Sequence, residues 1–131
     1  MKRGISRIII AASLIAGGAG LALAHHSFAA FDISAQRTVT GTIKKFDWTN
    51  PHSWIWIDVA DEKGVVDTWG IEGMSPNYLS RRGWSGKTLK PGDKITITIH
   101  ALKNGDHGGS FVSAKRPNGE VLTQTPPITE P

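Results

Sequence analysis

Alternation of hydrophobic and polar residues predicts five β-strands between residues 38 and 115. Period-two alternation with many β-branched residues is typical of strands that bury one face. In the second strand, Ile55, Ile57 and Val59 share one face, and Trp54, Trp56 and Asp58 share the other. The five predicted strands are Thr38–Ile43, Ser53–Val59, Val65–Glu72, Lys94–Ala101 and Phe111–Lys115.

Turn and helix signals separate these strands. Asn50-Pro51 favours a turn over residues 49–52, and Gly64 ends a hairpin turn that begins at Asp61. Further turns are expected at residues 90–93 and in the glycine-rich segment 104–109. Ser75-Pro76 predicts the start of a short helix that ends near Arg82. The order β-β-β-α-β-β predicts an all-β domain: a small five-stranded, OB-like Greek-key barrel, with an open β-sandwich as the rival.

The first 24 residues have the three parts of a secretory signal peptide. A cationic start with Lys2, Arg3 and Arg7 precedes an apolar stretch, and Ala22-Leu23-Ala24 matches a cleavage site. An uncleaved membrane anchor is the alternative, although the stretch is short and diluted by glycine. We therefore expect a signal peptide over 1–24, an N-terminal arm over 25–37, a barrel over 38–122 and a flexible proline-rich tail over 123–131.

Cleavage changes how the composition is interpreted. The 131-residue chain has 15 Lys and Arg against 11 Asp and Glu, a formal charge of +4. Without the three cationic residues of the leader the charge falls to +1, which removes the electrostatic case for nucleic acid. The chain has no cysteine, which excludes disulfides, thiolate metal sites and a cysteine nucleophile. We expect a periplasmic protein that has no contact with the membrane after cleavage.

Several motifs of the mature chain resemble the domain-of-unknown-function 6152 family, whose members are short exported bacterial proteins. Trp-Thr-Asn-Pro-His and Leu-Lys-Pro-Gly-Asp are the most specific of them. The resemblance implies export and transfers no reaction, ligand or catalytic residue. The matching segments are His25–Phe28, Phe31-Asp32, Val39–Gly41, Trp48–Trp54, Glu72–Pro76, Arg82–Trp84, Leu89–Asp93 and Gly108-Gly109.

The histidines suggest a metal site at the mature N-terminus. Cleavage would expose the α-amino group of His25, and an amine with imidazoles is a ligand set that suits Cu(II). His26 and His52 are the other candidate ligands, with His100 and His107 as further possibilities. This terminus resembles the histidine brace of copper monooxygenases. The alternative is a solvated arm, with His52 serving only to stabilise its turn.

Aromatic residues suggest a second candidate site. Trp54, Trp56 and Trp69 lie on strands that form the binding face of OB-type barrels, and His52 precedes them on the same face as Trp54. Such a surface could bind a sugar, a peptide or an exported partner protein. Alternatively, the rings cover one end of the barrel, or Phe28 and Phe31 of the arm cover them.

These observations favour a non-enzymatic, periplasmic binding module for copper or another small ligand. A copper-dependent oxidoreductase and an accessory subunit that docks on a larger exported protein are the alternatives. The carboxylates and serines of the chain have no spacing typical of acid–base or serine catalysis.

Overall fold

A computed structural model describes residues 28–125 and contains six strands and one short helix. The predicted signal peptide, His25 and His26 lie outside the described residues, as does the chain beyond Thr125. No helix within residues 28–125 is long and apolar enough to cross a membrane. The elements are β1 (Arg37–Asp47), β2 (Trp54–Ala60), β3 (Val66–Glu72), α1 (Pro76–Ser80), β4 (Lys94–Ala101), β5 (Gly108–Lys115) and β6 (Val121–Thr123).

The first five strands close into a barrel. Antiparallel pairing gives the order β3-β2-β1-β4-β5, and a parallel pairing of Gly70–Glu72 with Gly108–Ser110 joins the two ends. β6 adds to β5 outside this closed ring. The helix lies between the third and fourth strands along the chain. This confirms the predicted all-β, OB-like barrel, with one more strand than the sequence indicated.

The barrel interior is filled mainly by isoleucine. The inward positions of β2 and β4 follow the predicted alternation, and isoleucine suits them because a β-branched side chain packs well on a pleated sheet. Full burial of each such side chain contributes about 1.5–3 kcal/mol. The most deeply buried isoleucines are Ile43, Ile55, Ile57, Ile71, Ile95, Ile97 and Ile99.

A β-bulge interrupts β1 where the hydrophobic alternation changes phase. The register between β1 and β2 shifts between Ile43 and Lys45, so the inward positions are Ile43 and then Phe46, three residues later. One extra residue in a strand places two successive side chains on the same side of the sheet. Lys44 and Lys45 therefore both lie on the outer surface of the barrel.

The paired glycines of the predicted 104–109 loop are part of β5. Gly108 and Gly109 are buried, and they allow β5 to lie between β3 and β4 at the point of closure. A Cβ atom on Gly108 would lie 2.6 Å from the carbonyl oxygen of Gly70. The close approach of three strands explains why turn-like residues occupy a strand here.

The two ends of the described chain are tied to the barrel. Phe31 of the predicted arm is buried, and backbone hydrogen bonds join Asp32 to Ala101 and Lys103 to Ala30. At the other end, Thr123 belongs to β6 and its carbonyl accepts from the Trp84 indole at 3.0 Å. The strand therefore continues one residue into the segment that the sequence assigned to the tail.

Candidate ligand-binding surface

Two tryptophans lie side by side on the outer surface of β2. Trp54 and Trp56 alternate with the buried Ile55 and Ile57, and their rings stack with centroids 5.8 Å apart and an interplanar angle of 18°. Both side chains are partly buried. We call Trp54, Trp56 and the strand residues beside them the aromatic surface.

Trp56 is anchored on both neighbouring strands. Its indole Nε1 donates a 2.8 Å hydrogen bond to Asp47 Oδ2 on β1. On the opposite side, its six-membered ring lies against Gly70 of β3, where an added Cβ would come within 2.8 Å of the ring. The indole therefore spans the three-stranded part of the sheet in one fixed orientation.

Asp47 contacts Lys45 as well as the Trp56 indole. Its other oxygen, Oδ1, lies 2.7 Å from Lys45 Nζ, in a partly exposed ion pair. The hydrogen bond from Lys45 and then that from the Trp56 indole lower the pKa of Asp47 below its ordinary value of 3.8. Asp47 is therefore ionised at neutral pH, and its carboxylate can accept further hydrogen bonds.

A second polar cluster lies across the bulge from Asp47. Lys44 Nζ donates to Thr68 Oγ1 at 3.1 Å, and Thr68 Oγ1 donates to Asp58 Oδ1 at 2.6 Å. Lys44 Nζ is also 4.0 Å from Asp58 Oδ1. Lys44 faces outward by ordinary alternation after the inward Ile43, and the bulge adds Lys45 on the same surface.

The two clusters and Trp56 surround an open cavity of about 480 Å³. This volume is within the range of roughly 300–1,000 Å³ that small-molecule sites occupy. The polar residues of this cavity are not predicted by the local sequence pattern. The one sequence feature that points to them is the three-residue spacing of the hydrophobic residues Ile43 and Phe46, which interrupts the two-residue alternation of β1. The lining residues are Lys44, Lys45, Asp47, Trp56 and Thr68.

His52 lies at one end of the aromatic surface. Its Nδ1 is 3.1 Å from the carbonyl oxygen of Gly73 and 3.2 Å from Glu72 Oε1, and Glu72 pairs with Trp54 across the strands. Because a carbonyl oxygen can only accept, Nδ1 donates, and Nε2 carries the lone pair of the neutral ring. The structure thus places His52, Trp54 and Trp56 along one surface.

Trp69 does not join this surface. It points into the barrel and is 5% exposed, because it occupies an odd-numbered inward position of β3 between Thr68 and Gly70. The His107 ring stacks on it at 4.7 Å, and the Arg37 guanidinium lies 4.9 Å from its centroid. Trp69 is therefore a core residue, whereas the sequence analysis grouped it with Trp54 and Trp56.

The remaining histidines are also separated from His52. His100 Nδ1 lies 2.9 Å from the carbonyl oxygen of Ala35, and His107 Nδ1 lies 3.4 Å from Asp67 Oδ2. Within residues 28–125, no three histidine or acidic side chains are grouped closely enough to hold a metal ion. His25 and His26, the first two predicted ligands, lie outside that range.

Comparison with protein families gives a match over residues 12–111, which include the whole aromatic surface and its cavity. The chain belongs to the family of unknown function DUF6152. This confirms the family resemblance that the sequence motifs indicated. The family description names no ligand or reaction.

Comparisons with individual proteins add little. The solved structures that are similar include the mitochondrial single-stranded DNA binding protein Rim1 from S. cerevisiae. The identity is 12% and the TM-score 0.41, and the similarity covers 68% of this chain and 81% of that one. A search of curated proteins found no match.

Proposed function

We propose that this DUF6152 protein is an exported binding module that holds a small organic ligand on the aromatic surface. The observation that carries the proposal is the indole of Trp56, fixed by Asp47 and Gly70 at the edge of an open cavity. An aromatic platform with a few convergent polar groups is typical of small-molecule sites.

The polar groups of the cavity favour binding over catalysis. Asp47 and Asp58 each contact a lysine and a neutral donor, the Trp56 indole and the Thr68 hydroxyl. An acid–base catalyst works best with a pKa near the operating pH, whereas the pKa of Asp47 is shifted away from neutrality. We therefore assign Asp47 to hydrogen bonding with a ligand.

Export is the second part of the proposal, and the leader sequence supports it. The apolar stretch followed by Ala22-Leu23-Ala24 is the substrate pattern of a signal peptidase. We expect the protein purified from a periplasmic extract to begin at His25, as measured by intact mass. A periplasmic protein that still begins at Met1 would contradict export by cleavage.

Indole NMR tests the binding surface directly. The Trp56 Nε1–H bonds Asp47 and the Trp84 Nε1–H bonds the Thr123 carbonyl, so each proton reports on a different part of the barrel. In a titration with a fragment library of sugars and planar acids, ligands should shift the Trp54 and Trp56 signals and leave that of Trp84 in place.

Failure of all fragments to move the Trp54 and Trp56 signals would contradict the proposed surface. A docking protein is the alternative occupant. It would co-purify with the native chain, and Trp54→Ala would remove it while the Trp84 signal stayed unchanged.

Copper binding is a second candidate function, and the geometry of His52 favours it. Histidines that bind metals usually donate their second ring nitrogen to a carbonyl or carboxylate, as His52 Nδ1 does toward Gly73 and Glu72. Nε2 is then free to join the amine and imidazole of a mature His25. The same ligand set underlies the alternative of a copper oxidoreductase.

Electron paramagnetic resonance of the copper-loaded mature protein would test this candidate. Nitrogen coupling is expected from the amine and the imidazoles. A protein with one added Met before His25 should lose part of that coupling, and His52→Ala should lose another part. Identical spectra for the three proteins would rule out this ligand set.

A further inference from the structure

We infer that the ligand of the aromatic surface is an uncharged saccharide. This inference rests on the proposed function and adds the chemical class of the ligand. It follows from three properties of the cavity beside Trp56: an apolar ring platform, paired donors and acceptors around it, and a balance of charge. Each property is matched by one feature of a pyranose ring.

The first property is the platform. A pyranose presents a flat face of C–H groups. When this face packs on an indole, apolar surface of both partners is removed from water, which is favourable. The Trp56 indole suits this contact, because Asp47 and Gly70 hold it in one orientation and Trp54 supports it at 5.8 Å. A platform that is already fixed loses little side-chain freedom when the ligand binds.

The second property is the pairing of hydrogen-bond donors with acceptors. A sugar hydroxyl both donates and accepts, so it is best matched where an ammonium and a carboxylate lie together. Lys45 Nζ and Asp47 Oδ1 are 2.7 Å apart on one side of Trp56. Neighbouring hydroxyls of one sugar ring can engage such a pair at the same time.

A second pair repeats this chemistry on the other side of the cavity. Lys44 and Asp58 lie 4.0 Å apart with the Thr68 hydroxyl bridging them. The bulge in β1 is what brings both lysines to the same surface. The cavity therefore offers hydroxyl-binding groups on two sides of one aromatic platform.

The third property is the charge balance. The two lysines beside the cavity are matched by Asp47 and Asp58, so an anion meets a carboxylate wherever it meets an ammonium. A planar aromatic ligand would cover the indole but would desolvate the polar pairs without replacing their hydrogen bonds to water. Anionic ligands and planar aromatic ligands are therefore both disfavoured relative to an uncharged sugar ring.

The experiment titrates the mature protein with defined oligosaccharides and follows the indole NMR signals and isothermal calorimetry. The neutral probes are maltohexaose, cellohexaose and chitohexaose. The comparison probes are hexagalacturonate and indole-3-acetate. We expect at least one neutral hexamer to shift the Trp56 signal, with an affinity about tenfold or more above that of hexagalacturonate, because the carboxylates of that probe meet Asp47 and like charges repel.

Variants of the cavity separate the platform from its polar groups. Trp56→Ala should abolish binding, and Asp47→Asn should weaken it about tenfold, as expected for a lost charge-assisted hydrogen bond. Glu62→Gln removes a carboxylate in the β2–β3 turn and should leave the affinity unchanged. The Trp84 indole signal reports whether each variant remains folded.

The outcomes distinguish the inference from the function on which it rests. If hexagalacturonate or indole-3-acetate shifts the Trp56 signal and no neutral hexamer does, the saccharide inference is overturned and the binding surface stands. If no probe shifts that signal, both are overturned. Equal loss of affinity in Asp47→Asn and Glu62→Gln would also overturn the assignment of Asp47 to sugar binding.

Discussion

Asp47 is the residue that gives the aromatic surface a fixed geometry. One of its oxygens accepts from the Trp56 indole and the other pairs with Lys45. Both contacts are stronger with the carboxylate form, and both therefore lower its pKa. The order of the surface is therefore linked to the ionisation of a single side chain.

The first prediction concerns acid pH. Because folding lowers the pKa of Asp47, its contribution to stability is complete above the ordinary value of 3.8 and is lost as the pH falls through the lower folded-state value. The Trp56 indole signal should hold its position down to pH 3.8 and move below it. Indole NMR over pH 2–7 measures this.

Asp47→Asn provides the control, because an amide oxygen still accepts from the indole but does not titrate. In this variant the Trp56 signal should stay in place over the pH range in which Asp47 titrates in the native protein. A midpoint above 3.8 in the native protein would contradict the assigned environment of Asp47.

At the scale of elements, β1 has the most demanding geometry, since it pairs with β4 along its first half and with β2 along its second. Gly41 lies where the strand passes from one partner to the other. A Cβ atom at this position would overlap the carbonyl oxygen of Asp58 on β2. The close approach of β1 and β2 therefore requires a residue without a side chain.

The second prediction is that Gly41→Ala destabilises the barrel by about 3 kcal/mol, since the backbone of β1 or β2 must shift to relieve the overlap. Urea unfolding followed by tryptophan fluorescence measures the change. Gly86→Ala is the matched control. Its added Cβ makes ordinary contacts with Trp48, the nearest at 3.4 Å, and should change stability by no more than about 0.5 kcal/mol. Equal effects of the two substitutions would refute the close approach.

At the scale of the whole molecule, the C-terminal strand secures the helix-bearing end of the barrel. β6 pairs with β5, and the Thr123 carbonyl accepts from Trp84. Gln124 then accepts from the Met74 amide and donates to the Phe111 carbonyl. Residues 121–124 thus connect three separate parts of the chain.

The third prediction compares two truncations. Removal of residues 121–131 should cost about 2–4 kcal/mol more than removal of residues 126–131 alone, through the lost hydrogen bonds of β6 and Gln124. For a domain of this size, that corresponds to a melting temperature roughly 10–20 °C lower. Differential scanning calorimetry measures both. Equal melting temperatures for the two truncations would show that β6 contributes nothing.

The fourth prediction concerns nucleic acid. Cleavage after Ala24 would leave a formal charge of +1, and both lysines of the aromatic surface face carboxylates. Binding to a phosphate backbone depends on cations that are free to replace counterions. We expect no binding of a 20-nucleotide dT probe at about 150 mM salt by fluorescence anisotropy. Salt-dependent binding that Lys44→Gln weakens would contradict this charge balance.

The sequence by itself predicted the barrel class and most of its strands. Alternation places Ile55 and Ile57 inside and Trp54 and Trp56 outside, because side chains of a strand point alternately to the two faces. The motifs also predicted the family. These features could be predicted because each depends on residues close together in the sequence.

Only the tertiary structure decided which residues surround Trp56. Lys44 and Asp47 come from a bulged β1 and Thr68 from β3, so their meeting depends on the register of three strands. The closure of the barrel also extends β5 back to Gly108 and Gly109, which the sequence assigned to a loop. Register and closure depend on contacts between distant residues, and local periodicity does not contain them.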